Sequence, residues 1–508
     1  MGHLSKTVKT EFFPITLSPP PFFQDHHVDN RPVLAAVEAM QQLVADTCGR
    51  FPEKDGRRLA DIHFNKFLHL DTQHPLTAIN QVAHAGDGSL RAILSTRFTS
   101  PQAKISRTVE HVSLVIGRDD PSVPETPLDA AAALSGVCTA VDPDRIYREL
   151  VPFGPAYRNI CETLLLSTDG ALARVRSPRP PDPRSDLCLG SPYVLDAAFH
   201  AACVWCQRFC GIVAFPVYMH RRTIIQPTRM NEVYTVRVVP VQTGNAPFVF
   251  DIFVYDDTGA LRESASGVHM RDVSGGRVVP PQGFRQTTPA DTLTAFHSRV
   301  SAMVVLERRA VADFAAAALS GNETQRLTPM APDRAKGYLS ARLALKRLSR
   351  RLSGDGDRRQ SREIETVAVN DPSPRCPLAD GTLPFCAVSH DRRFTIAVAA
   401  DRPVGVDVEP LSEKPLNAIH LYMGGDEQAV VRRSSLGLAE AALRVWSTKE
   451  AAAKALGINL AESWATLRVI DVAAASSQLV TTGGKQLTAI HAPIDEHLFT
   501  LLNADGLP

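Results

Sequence analysis

Two stretches near the end of the chain hold the residue types of a phosphate-handling site. Val404-Gly405-Val406-Asp407-Val408-Glu409 alternates around two acids, and Trp446-Ser447-Thr448-Lys449-Glu450-Ala451-Ala452-Ala453-Lys454 follows about forty residues later. A strand repeats every two residues, so Asp407 and Glu409 share one face. The second stretch is rich in Ala, Glu and Lys and closes at Gly457, the pattern of a helix. Glu450 and Lys454 then lie one turn apart. Two carboxylates from a strand and one from a helix make a hard, oxygen-only site. Such a site suits Mg²⁺, which keeps several waters and binds substrate phosphates. Lys449 and Lys454 place positive charge beside it.

The elements that must position these groups form a domain expected over 295–508. Residues 333–351 (DRAKGYLSARLALKRLSRR) predict a strongly basic helix carrying Arg334, Lys336, Arg342, Lys346, Arg347, Arg350 and Arg351. Its basic side chains face solvent, or meet phosphate or an acidic protein partner. A loop, GDGDRRQSR, follows. Val388-Ser389-His390 precedes a predicted strand from Phe394 to Ala399.

These motifs resemble the 4′-phosphopantetheinyl transferase family of the surfactin-synthetase type, whose pattern is V-G-[VI]-D-[VI]-E followed by W-[STC]-x-K-E-x-x-x-K. Both halves are complete here, and the resemblance covers about 300–500. It implies Mg²⁺ held by Asp407, Glu409 and Glu450, with CoA as the substrate. Lys449, Lys454, Ser389 and His390 would contact its phosphates. Arg342, with Arg334 as the next match, falls where the family carries a CoA-binding arginine. The family's first Ser of its S-x-S-H segment is Ala387 here. Glu450 would deprotonate the carrier-protein serine that attacks the β-phosphate of CoA, and Lys454 could protonate the leaving phosphate. Trp446 is expected to anchor the helix.

The first half of the chain reads differently. Residues 11–23 (EFFPITLSPPPFF) predict an irregular, Pro-broken lead-in. A helix is expected at about 33–47, with strands at 59–70, 89–99 and 105–117 and a Pro/Asp-rich break at 118–127. A second unit starts near 145. It has strands at 160–176, a proline-rich loop at 178–184, a helix from Ser191 to about 210, and strands at 212–225, 231–242, 247–256 and 259–272. Long β segments around one apolar helix, twice over, predict a double hot-dog fold. The fold class is therefore α+β: a double hot-dog domain at 1–273 (first hot dog about 10–118, second about 145–273), a Gly/Pro/Ser/Thr-rich linker at 274–294, and the transferase-like domain at 295–508.

This half resembles the dehydratase domains of polyketide and polyunsaturated fatty-acid synthases, over roughly 10–272. The family carries D-H-x-V-x-G-x-x-V-L-P before its first helix, a Y-G-P-x-F type segment, and D-x-x-x-[QH] at its second helix. The corresponding residues are Asp25-His26 with Val33-Leu34, Phe153-Gly154-Pro155-Ala156-Tyr157, and Asp196 with His200. The resemblance implies His26 and Asp196 as the catalytic pair, His200 as a supporting hydrogen-bond partner, and Ala214–Tyr218 as a substrate-pocket strand. Loss of water from a β-hydroxyacyl thioester needs a base at the α-carbon, which an imidazole suits. It also needs a group at the β-hydroxyl, where a carboxyl in apolar surroundings can stay protonated or orient the leaving hydroxyl. Two positions depart from the pattern: the family Gly is Asn30 and the family Pro is Ala35. Asn tolerates left-handed backbone, so the turn can survive the change. The same dyad also suits a product-template-like cyclase, and the two departures suit an inactive docking or dimerisation module.

Composition bounds the rest. Over 508 residues, 55 basic against 54 acidic side chains give no argument for nucleic acid or membrane binding. No apolar run reaches membrane-spanning length, and no signal-peptide core opens the sequence, which points to the cytosol. Nine cysteines predict reduced thiols. Cys203, Cys206 and Cys210 fall at helical spacing, which explains them without a metal. Both halves call for one partner, an acyl carrier protein bearing acyl thioesters, and the hot-dog half could pair as a homodimer.

Overall fold

The computed structural model describes residues 9–70, 74–99, 106–117, 128–129, 133–134, 139–178, 189–242, 246–285, 293–308, 318–354, 359–368, 371 and 373–504. The chain divides into two compact units, Met1–Leu128 with Val141–Gln286, and Asp129–Ala140 with Thr287–Pro508.

The first unit is a double hot dog. Its elements are β1 (Thr10–Leu17), β2 (His27–Val28), β3 (Arg31–Leu34), α1 (Ala36–Arg50), β4 (Arg58–Phe64), β5 (Leu68–His69), β6 (Leu76–His84), β7 (Leu90–Thr99), β8 (Ser106–Ile116), β9 (Leu164–Ser167), β10 (Gly170–Arg176), α2 (Pro192–Phe209), β11 (Phe215–Ile224), β12 (Val233–Gln242), β13 (Phe248–Tyr255) and β14 (Leu261–Arg271). One sheet runs β1-β6-β7-β8-β4-β11-β14-β13-β12-β10-β9. The first five strands serve α1 and the last six serve α2. The halves join where β4 pairs antiparallel with β11, Met219 opposite Ile62. Residues 192–208 of α2 are all buried, because the sheet covers the helix on one side and α1 with the 146–157 segment covers it on another. This accounts for Cys203 and Cys206.

Three expectations change here. Residues 11–17 of the lead-in belong to a regular strand, β1, with Pro14 opposite Ile79, while 18–22 are irregular as expected. An edge position lets proline, which has no N–H to give, remain in the ladder. A further strand, β6, was not anticipated: in LTAINQVAH, Asn80 interrupts the apolar face, and it is buried on Asp46 and Thr47 of α1. Of the expected linker, Phe284 is buried in the first unit's core. The breaks expected at 118–127 and 178–184 lie outside the described residues, apart from residue 178.

The second unit contains β15 (Ala302–Glu307), α3 (Gly321–Leu327), α4 (Pro332–Ser353), β16 (Phe385–His390), β17 (Phe394–Ala400), β18 (Val404–Pro410), α5 (Gly425–Arg433), α6 (Leu438–Leu456), α7 (Leu460–Thr466), β19 (Leu467–Val472), β20 (Ser476–Thr481), β21 (Gln486–Ile494) and β22 (His497–Asn503). A three-stranded sheet runs β15-β17-β16 and a five-stranded one β18-β22-β21-β20-β19. α6 ends on Gly457 in the left-handed conformation, φ 66°. The basic side chains of α4 divide: Arg334, Lys336 and Arg351 are exposed, while Arg342, Lys346 and Arg347 are buried. Lys346 is fully buried 2.7 Å from Glu323 of α3 and donates to the Ser361 and Ile364 carbonyls.

Candidate active sites

In the second unit, β18 brings Asp407 and Glu409 to one face and α6 lays Glu450 over them. One oxygen from each of the three carboxylates lies within 4.8 Å of the others. Gly405 allows this approach: a Cβ there would stand 1.8 Å from the Ala451 carbonyl oxygen. Lys454 Nζ donates to Asp407 Oδ1 (2.9 Å), Ser389 Oγ (2.8 Å) and the Val406 carbonyl (2.9 Å), and lies 3.9 Å from Glu450. Burial, then repulsion from Asp407, pushes Glu409 up to about 7 and Glu450 up to about 8. Crowded carboxylates of this kind favour a divalent cation, whose charge relieves the repulsion. Among the described residues this is the one group of three or more His, Cys, Asp or Glu side chains close enough to share an ion. The donor set fits Mg²⁺.

Trp446 does more than anchor α6. Its Nε1 donates to Glu409 Oε1 at 3.3 Å, while its ring packs on Tyr422 and Trp464. Ser389 sits in the cluster, donating to Asp407 Oδ1 at 2.9 Å. His390 ends β16 with its ring against Gly337 of α4, where a Cβ would come within 2.6 Å. Burial, then Arg308 and Lys454, hold its imidazole below the ordinary range.

Two expected phosphate ligands are placed otherwise. Lys449 is turned from the carboxylates into the core, donating to Glu427 (2.9 Å) and the Tyr422 carbonyl (2.7 Å). It is one residue from Glu450, and a helix turns about 100° per residue, so the two cannot share a face. Arg342 is buried, stacks on Tyr338 and donates to the Thr366 carbonyl at 2.7 Å. Its charge is committed inside the unit. Lys449→Met is therefore expected to act on stability. It leaves Glu427 buried without its counterion, a loss of about 3–5 kcal/mol. Calorimetric melting should show a large drop, partly recovered in Lys449→Met/Glu427→Gln.

In the first unit, His26, Asp196 and His200 line one cavity of about 510 Å³, with Phe64, Phe67, Phe153 and Phe215 among its walls. The β2–β3 hairpin places His26. Its two-residue turn is Asp29-Asn30, φ 51° and 59°, so Asn30 does take the left-handed backbone. His26 Nδ1–H donates to the Val33 carbonyl (3.1 Å), which leaves Nε2 as the basic nitrogen. Its ring packs on Phe153 and Tyr157. Asp25, to which no role had been given, clamps the Phe153–Tyr157 segment. Its carbonyl accepts from Gly154 N–H (2.7 Å) and its carboxylate from Ala156 N–H (2.9 Å). A Cβ at Gly154 would strike Asp25 at 2.3 Å. That glycine inside Phe-Gly-Pro-Ala-Tyr was the available signal.

Asp196 and His200 are one turn apart on α2. His200 Nε2 lies 3.0 Å from Asp196 Oδ2 without hydrogen-bond alignment, and Tyr147 OH lies 3.4 Å from His200 Nδ1. Burial works to raise the Asp196 carboxyl, but His200 and then His26 outweigh it and hold it below its usual range. The carboxyl therefore stands ionised, and of its two expected states the orienting one applies. Burial pushes His26 down to about 4.

A stability test follows from His26. Below about pH 6.5 the unfolded chain takes up a proton that the folded imidazole refuses until about 4. The contribution is full above pH 6.5 and is lost as pH falls towards 4. Between pH 7 and pH 5 this amounts to about 2 kcal/mol. Urea titrations should show a shallower pH dependence for His26→Gln than for the parent.

Residues 125–278 match the polyketide synthase dehydratase N-terminal domain, and residues 403–501 match the 4′-phosphopantetheinyl transferase superfamily. The chain carries both domain types. Similar solved structures include the dehydratase domain from the CurF module of curacin polyketide synthase, at 15% identity over 52% of this chain and 93% of that one, TM-score 0.43. A dehydratase domain of a mycocerosic acid synthase-like polyketide synthase gives 18%, 52%, 92% and 0.44. A trans-AT polyketide synthase dehydratase domain from Brevibacillus brevis gives 18%, 52%, 94% and 0.41. No curated protein matches the chain. The dehydratase-type unit thus holds the His26/Asp196 cavity, and the transferase-type unit holds the three carboxylates. No helix among the described residues is long and apolar enough to cross a membrane.

Proposed function

We propose that the chain is a bifunctional enzyme of carrier-protein biosynthesis. The transferase-type unit moves 4′-phosphopantetheine from CoA to a serine of an acyl carrier protein. The dehydratase-type unit removes water from β-hydroxyacyl thioesters on that arm, in polyketide or fatty-acid assembly. The convergence of Asp407, Glu409 and Glu450 beside Lys454 carries the first activity. The three carboxylates would hold Mg²⁺, which when bound supplies charge neutralisation for the pyrophosphate. Glu450 takes the serine proton as the serine oxygen bonds to the β-phosphorus and the bond to 3′,5′-ADP breaks. Lys454 is the fixed positive charge beside the departing phosphate, and Ser389 and His390 border the phosphate-binding edge.

In the cavity of the first unit, His26 Nε2 takes the α-proton. Asp196, ionised, accepts a hydrogen bond from the β-hydroxyl and orients it. As the C=C bond forms, the β-C–O bond breaks and the proton carried by His26 leaves with the hydroxyl as water. This places base and acid on one imidazole, with Asp196 as guide.

Intact mass of an apo carrier protein after incubation with the chain, CoA and Mg²⁺ tests the transferase; a gain of one phosphopantetheine is expected. A β-hydroxyacyl group loaded with that arm then tests the dehydratase through loss of one water. His26→Ala is expected to reduce that loss by about 10³-fold. Full dehydration by His26→Ala would remove His26 as the base, and no loss of water with the parent would remove the dehydratase assignment and favour a docking module.

A further inference from the structure

Asp407 is also the end of a buried polar line that runs through the motif's Ser447 to residues outside both halves of the motif. On β18, β22 and β21, Asp407 pairs with Thr500 and Thr500 with His491. Ser447 of α6 and Ser477 of β20 join them. Ser447 Oγ is 2.8 Å from both Asp407 Oδ2 and Thr500 Oγ1. Thr500 Oγ1 is 2.9 Å from His491 Nδ1, and His491 Nε2 is 2.8 Å from Ser477 Oγ. All five side chains are buried, in a core otherwise built from residues such as Leu479, Ala489 and Leu502. Polar groups in such a place are tolerated only when fully paired, and pairing in low dielectric makes the line rigid.

The hydrogens can have only one order. The Lys454 ammonium donates to Asp407 Oδ1, and the carboxylate accepts at Oδ2 as well, so the single Ser447 proton goes to Asp407. Ser447 Oγ must then accept from Thr500, whose oxygen accepts from His491 Nδ1–H. His491 Nε2 is left to accept from Ser477. His491, Thr500 and Ser447 each donate and accept, as their types allow; Ser477 opens the line as a donor, Asp407 ends it as the acceptor, and every donor points towards Asp407. A neutral imidazole is needed, and burial, then Arg444, push His491 down to about 3.

We propose that Ser477, His491, Thr500 and Ser447 form a one-way hydrogen-bond chain that positions Asp407, with Thr500 and His491 as positioning residues for the cation site. The effect on Mg²⁺ rests on the metal-site assignment above; the direction of the chain does not. Outer partners of this kind typically change metal affinity 10–100-fold.

Calorimetric Mg²⁺ titration of the full-length protein tests it. Thr500→Val, which keeps the shape and removes the hydroxyl, is expected to weaken binding about tenfold, and Thr500→Ser to restore it. In a Ser447→Ala background the chain is already cut, so Thr500→Val should cost nothing more. Parent-like binding by Thr500→Val, or equal losses in both backgrounds, overturns the proposal. Nitrogen-15 NMR of the unaltered protein gives a second decision, without metal and without substitution. The Nδ1–H tautomer is expected for His491, and the Nε2–H tautomer overturns the chain. An unaltered protein that takes up no Mg²⁺ counts against the metal site, and the tautomer then decides the chain alone.

Discussion

Asp407→Ala is expected to reduce phosphopantetheine transfer by about 10³-fold or more, close to 4 kcal/mol of lost transition-state stabilisation. No other carboxylate of the trio is so heavily committed. Lys454, Ser389 and Ser447 all bond to it, and it is almost wholly buried. Its removal leaves two carboxylates for the cation and a half-buried lysine without the nearer of its two carboxylate partners. Both defects fall on the groups proposed to meet the pyrophosphate. The intact-mass assay reads the effect directly, and a melting curve separates it from unfolding. Turnover within tenfold of the parent, in folded protein, would remove Asp407 from the site.

Gly405→Ala should be nearly as damaging, through geometry alone. The added methyl meets the Ala451 carbonyl oxygen at 1.8 Å and the Ala455 nitrogen at 2.7 Å. Both are backbone atoms of α6, so no rotamer change relieves the clash and the helix must lift from β18. Overpacking of this severity costs about 3 kcal/mol or more. Glu450 precedes Ala451 and must retreat from Asp407 with it. A displacement of about 1 Å costs roughly 10²-fold in rate. Loss of thermal stability together with weakened Mg²⁺ binding is expected. A variant with the parent's melting temperature and turnover would show that α6 does not rest on Gly405.

Much of both sites was legible because short-range geometry writes it. The alternation around Asp407 and Glu409, the one-turn spacing of Glu450 and Lys454, and the same spacing of Asp196 and His200 follow from strand and helix periods. The left-handed turn at Asn30 follows from residue type. None of these needs a partner from elsewhere in the chain.

What the sequence by itself determined is therefore most elements of the first unit, the motif-bearing strand and helix of the second, the order of the two domain types and the faces on which most reactive groups stand. Tertiary structure decided which charges remain available. Lys449 and Lys346 look like phosphate ligands on a helical projection, yet Glu427 and Glu323, more than twenty residues away in each case, neutralise them in the interior. Pro14 reads as a strand breaker until β1 proves to be an edge. Asp196 could be read as protonated or ionised until His200 and His26 were found to outweigh its burial. Thr500 and His491 carry no motif and join Asp407 only through the register of β18, β22 and β21. The physical reason is common to all of these. A charge or a hydrogen bond is settled by what lies within about 3 Å of it, and the chain brings those neighbours together only when it folds.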